Sequence, residues 1–185
     1  VIDALLDVAN RPYSLAGTPL EILSFDSKRI ILVTAHRRES FGGPFESLCQ
    51  GLKALALRYP DQIVLVYPVH RNPNVRQVVN NILAGIDNVV LIDPLDYLPL
   101  VHLMKRSYLV LTDSGGLQEE APSLGKPVLV LRKVTERPEG VAAGTVKVIG
   151  TDAADIVAEA SRLLDDASAY QAMASQVNPY GDGTA

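Results

Sequence analysis

The sequence has a single cysteine in 185 residues, Cys49. No disulfide can form within the chain, and a reducing compartment suits it. The expected role of Cys49 is that of a small buried apolar residue. Positive charge is not in excess: 17 Lys and Arg stand against 21 Asp and Glu, for a net charge of −4. A nucleic-acid surface would need a basic stripe, so no nucleic-acid partner is expected. No apolar run approaches the ~20 residues of a membrane-spanning helix, and no signal peptide is visible; no membrane partner is expected. His, Cys, Asp and Glu do not cluster at metal-ligand spacing, so no metal is expected. Neither a Walker A loop nor a GxGxxG fingerprint occurs. Internal repeats and low-complexity tracts are also lacking. With 48% hydrophobic and 21% charged residues, a disordered chain is excluded as well.

What is present is a regular alternation. Residues 30–35 (IILVTA), 63–67 (IVLVY), 89–92 (VVLI), 108–112 (YLVLT) and 128–131 (VLVL) read as strands, with a sixth short strand at 145–149. Between them lie helical patterns: Phe45, Leu48, Cys49, Leu52, Leu55 and Ala56 recur at helical spacing, as do Val75, Val78, Val79, Ile82 and Leu83. Further helices are expected near 97–106, 115–124, 152–165 and 168–176. The strands are continuously apolar rather than alternating, as a parallel sheet covered on both faces requires. The expectation is a doubly wound, Rossmann-like α/β fold. Residues 1–28 read as the end of a preceding motif and a connector, 29–177 as the domain and 178–185 as a turn-rich tail. Val1–Leu6 already resembles a helix interior, so the chain looks cut from something longer.

Open α/β sheets bind ligands beyond the C-terminal ends of their strands. That rule selects His36 and Arg37 after the first strand, His70 after the second, Ser114, Gly115 and Gly116 after the fourth, and Arg137 in the loop after the fifth. A helix beginning at Ser-Gly-Gly presents unpaired N–H groups and a positive dipole end, and glycine lets a phosphate approach them. Glu120 follows Gly116 by four residues, on the same helix face, where a carboxylate can accept from ribose hydroxyls. Diphosphate at the helix tip and ribose one turn along describe a nucleotide diphosphate. Each piece alone has a plainer reading. Ser-Gly-Gly is a common turn, Glu119 and Glu120 suit a solvated helix face, His70 could cap the next helix, and His102 suits packing or surface. Their convergence on one rim favours a site.

The segments TAHRRESFG, VYPVHRNPNVR, DPLDYLPLV, LTDSGGLQEEAPSLGKPVLVLR, TERPEGVAAGT and NPYGDGTA closely resemble the non-hydrolysing bacterial UDP-N-acetylglucosamine 2-epimerases, in order and through almost the whole chain. The resemblance implies the second of two Rossmann-like domains arranged as in GT-B glycosyltransferases, with the N-terminal half lying outside this sequence. It implies interconversion of UDP-GlcNAc and UDP-ManNAc by anti elimination of UDP and re-addition, without metal or nicotinamide cofactor. It further implies that Ser114, Gly115 and Gly116 hold the diphosphate, Glu120 the ribose and Leu100 the uracil side, where the family often has Phe. Arg137 approaches the UDP, His36 serves catalysis, and Arg37 and His70 contact a second, activating UDP-GlcNAc. A cytoplasmic, homodimeric parent feeding cell-surface polysaccharide synthesis is implied too. A hydrolysing relative that releases ManNAc, and a nucleotide-binding module inactive on its own, remain as alternatives.

Overall fold

The computed structural model describes residues 7, 9, 28–35, 43–133, 141 and 144–175. Six strands form one parallel sheet: β1 (Arg29–Thr34), β2 (Ile63–Pro68), β3 (Val89–Ile92), β4 (Leu109–Thr112), β5 (Val128–Val130) and β6 (Val146–Val148). The helices between and after them are α1 (Gly43–Arg58), α2 (Pro73–Leu83), α3 (Tyr97–Arg106), α4 (Gly115–Ser123), α5 (Ala153–Asp165) and α6 (Ala167–Ala174). The strand order is β3-β2-β1-β4-β5-β6. The chain lays strands outward from β1 in one direction, then returns to β1 and continues in the other, which is the doubly wound arrangement. Between β1 and β4 the order reverses, and the crevice of such a sheet opens at their C-terminal ends.

All six expected strands form, with small differences at the ends. Tyr108 and Leu131 fall just outside their ladders, although Tyr108 N–H still donates to Ile30 O (2.7 Å) and Leu131 N–H to Thr112 O (2.9 Å). Ala35 lies beyond β1, and its carbonyl instead accepts the buried Tyr67 hydroxyl.

Successive strand residues point to opposite faces, and each face has its own core. Ile31, Val33, Leu65, Leu109 and Leu111 pack beneath α1, α2, α5 and α6. Ile30, Leu32, Val66 and Val110 pack beneath α3 and α4. This two-sided burial explains why the strands read as unbroken apolar runs. On the first face α1 lies against α5 at Gly51: a Cβ there would sit 3.0 Å from Ala153 Cα and 3.1 Å from Ile156 Cβ. Cys49 is buried in that layer, and burial, with the charge of Glu46, pushes its thiol up to about 12.

Candidate functional site

The site begins where β1 and β4 end side by side. Thr34 and Thr112 are register partners, and their hydroxyls hydrogen-bond at 2.6 Å. Thr112 Oγ1 also accepts the N–H of Ser114 at 2.9 Å, while Asp113 N–H donates to Thr34 O at 3.0 Å. The departure from β4 is therefore tied to the neighbouring strand before α4 begins. Ser114 is the N-cap of α4 in extended conformation, but its hydroxyl makes no cap bond. Asp96 likewise makes no cap bond on α3, whereas Asn72, Asp152 and Asp166 close the N-termini of α2, α5 and α6 with side-chain oxygens. No N-cap side chain closes the first turn of α4, and the positive end of the helix lies behind its N–H groups.

Gly116 in that turn is exposed and does not adopt positive φ. A Cβ at this position would meet Glu120 Oε1 at 3.7 Å and Ser114 Oγ at 3.9 Å, both ordinary contacts. Alanine would fit the chain's own structure and favour the helix by about 1 kcal/mol. The fold does not ask for this glycine, and its lack of a side chain leaves the N–H groups approachable.

Glu120 stands one turn along, half-buried, and its Oε2 accepts the hydroxyl of Tyr97 at 3.2 Å. Burial raises the Glu120 pKa above the usual glutamate value. The Tyr97 hydrogen bond opposes this rise and the neighbouring Glu119 charge adds to it. Tyr97 opens α3, and Leu100 lies one turn further on the same helix, half-buried against the apolar layer beneath α3 and α4. Ser114, Gly116, Glu120 and Leu100 are thus carried by the two helices on one face of the crevice. Tyr97 is a member that the sequence reading missed. Its only sequence signal was its place three residues before Leu100 in DPLDYLPLV.

His70 sits elsewhere on the rim. It is exposed beyond β2, two strand spacings or about 10 Å sideways from β4. The structure corrects its suggested role as a helix cap. His70 Nδ1 accepts the Asn72 N–H at 3.1 Å, and it is Asn72 Oδ1 that caps α2 through Asn74 N–H at 2.9 Å. His102 is buried in α3, facing the core. His36, Arg37 and Arg137 lie outside the described residues. Among the described residues no three His, Cys, Asp or Glu side chains converge as metal ligands, and no helix is long and apolar enough to cross a membrane.

The family model of the UDP-N-acetylglucosamine 2-epimerases matches residues 1–185. The chain belongs to that family. A family member from Yersinia pestis, a UDP-N-acetylglucosamine 2-epimerase, is 56% identical over 190 residues, which cover 100% of this chain and 50% of the relative. Among solved structures, the S. aureus MnaA-UDP co-structure superposes with a TM-score of 0.90 at 48% identity, covering 98% of this chain and 48% of that one. The UDP-GlcNAc 2-epimerase from Neisseria meningitidis bound to UDP-GlcNAc gives 0.89 at 45% identity, covering 98% and 50%. The chain spans about half the length of the curated relatives it matches.

Proposed function

We propose that this chain is the UDP-binding half of a UDP-N-acetylglucosamine 2-epimerase. Residues 29–177 form the binding domain, after a connector at 1–28 and before a tail at 178–185. The observation that carries the reading is the open first turn of α4, with unobstructed Gly116 and Glu120 one turn along, in a chain similar throughout to a protein solved with UDP. The diphosphate sits on the N–H groups of Gly115 and Gly116 beside the Ser114 hydroxyl. Glu120, oriented by Tyr97, accepts from the ribose, and Leu100 offers an apolar surface to the uracil. Arg137 is assigned to the UDP as well.

In the reaction the proton on C2 of the sugar is removed and the C1–O bond breaks. UDP leaves with the bonding pair, giving a 2-acetamidoglucal. Protonation of C2 from the opposite face and attack of the UDP oxygen on C1 then yield UDP-ManNAc. His36 is assigned to catalysis at this rim, and Arg37 and His70 to a second, activating UDP-GlcNAc. The carboxylates that move the C2 proton are assigned to the half of the protein beyond this sequence. The parent is a cytoplasmic homodimer that feeds cell-surface polysaccharide synthesis.

The test is calorimetric titration of the 185-residue chain with UDP. Saturable binding is expected, and Gly116→Val should abolish it while leaving the circular dichroism spectrum unchanged. Equal binding by the folded variant would overturn the assignment of the diphosphate to α4.

A further inference from the structure

At the opposite end of the sheet, below the first residues of β1 and β4, lies a cavity of about 760 Å³. Ends of β4 separate it from the crevice by about 15 Å at ~3.3 Å per residue. Lys28, Arg29, Arg106 and Lys126 line it, and among the described residues Asp61 is the one carboxylate on its wall. In a chain of net charge −4 this is a local reversal of sign.

Two of these cations donate to carbonyls at the end of a helix and in a turn. Arg29 Nη1 donates to Leu164 O at 2.9 Å, Lys28 Nζ donates to Pro60 O at 3.4 Å, and Arg106 stands in the last turn of α3. Such contacts suit helix C-termini, and the carbonyls that Lys28 and Arg29 meet carry no full negative charge. Lys126 differs from all three. It is half-buried, and its ammonium makes no hydrogen bond or ion pair with another described residue. Burial lowers its pKa below the usual lysine value. Half-burial takes part of the solvation from this cation, and an anion beside Lys126 would favour its charged form again.

The wall facing it is already built. Tyr108 and Tyr170 stack with centroids 4.0 Å apart, and Arg29 lies over the Tyr108 ring at 4.6 Å. The two hydroxyls are held by Leu163 O and Tyr108 O. The cavity therefore keeps its shape without an occupant, as small-molecule sites commonly do.

We propose that this cavity binds a small phosphate-bearing metabolite, with Lys126 as the direct partner of the phosphate and Arg29 and Arg106 supplying the surrounding positive field. A lone carboxylate would need one cation; a multiply charged oxyanion uses several. The site is separate from the one on α4 and requires none of its residues.

The experiment is a titration of the isotope-labelled 185-residue chain with inorganic diphosphate, followed by amide NMR. The backbone amides of Ser107, Tyr108 and Lys126 should shift saturably, and should still do so in Gly116→Val. Lys126→Gln should weaken that response about tenfold, and Lys126→Arg should restore it to within about threefold, with the dispersed spectrum reporting an intact fold in each case. Shifts confined to Gly115 and Gly116, or a response at Tyr108 indifferent to Lys126→Gln, would overturn the proposal.

Discussion

Glu120 is held between two demands on its acidity. Burial favours its protonated form, whereas the proposed ribose contact needs the carboxylate ionised. Because its folded pKa is raised, the native state binds more protons than the unfolded chain in the window just above the usual glutamate value. Stability attributable to Glu120 therefore falls as pH rises through that window. UDP affinity should move the other way, weakening as pH falls toward the raised pKa. Glu120→Gln should remove both pH steps. At neutral pH it should cost UDP tenfold or more, about the strength of one charge-assisted hydrogen bond, and inorganic diphosphate less than about threefold. Calorimetry with the two ligands across pH checks this, and equal losses for both would refute the ribose contact. Ser114, Gly116 and Glu120 were legible in the sequence because their relation is local, one helix turn. Tyr97 was not, because its bond to Glu120 crosses from α3 to α4, and no spacing rule connects two helices separated by a strand.

The glycines of α1 and α4 show how differently one residue type serves two elements. In α4, a Cβ at Gly116 would make only ordinary contacts; in α1, Gly51 lets a neighbouring helix in. Gly51→Val should destabilise the chain by about 2 kcal/mol, since overpacking typically costs 1–3 kcal/mol and the nearest obstacle, Ala153 Cα, is backbone. Gly116→Ala should leave stability unchanged or raise it by up to about 1 kcal/mol. Urea unfolding of both variants measures the contrast, and a Gly51→Val midpoint equal to that of the parent sequence would show that α1 and α5 can separate freely. The strands were legible because both faces of the sheet are covered, so each strand appears as an unbroken run of apolar residues. Their ends were less so. Tyr108 and Leu131 are apolar like the ladder residues and still donate one bond each, so composition alone does not mark where pairing stops. Nothing in the spacing of 43–58 and 153–165 identified α1 and α5 as partners either; their contact spans more than a hundred residues.

At the scale of the molecule, this chain holds the proposed binding face and spans about half of its relatives' length. Epimerisation needs proton transfer at both faces of C2, by groups within about 3 Å or one water of the carbon-bound proton. Incubated alone with UDP-GlcNAc in D₂O, the 185-residue chain should incorporate no deuterium at C2 on the timescale on which a full-length family member does. Incorporation at a comparable rate would place the base within this sequence. The fold class was legible at this scale because strand–helix alternation leaves few topologies; the strand order was not, since the return from β3 to the far side of β1 is written nowhere in the local pattern. That return has a consequence for how the molecule opens. β1 and β4 are hydrogen-bonded on both edges and covered on both faces, so their amides exchange with solvent only when the whole domain comes apart. The Thr34–Thr112 junction and the start of α4 hang from these two strands. A nucleotide at the proposed site would therefore be gripped by the last structure to be lost, and would slow hydrogen exchange throughout the globally protected core, far beyond the residues it touches.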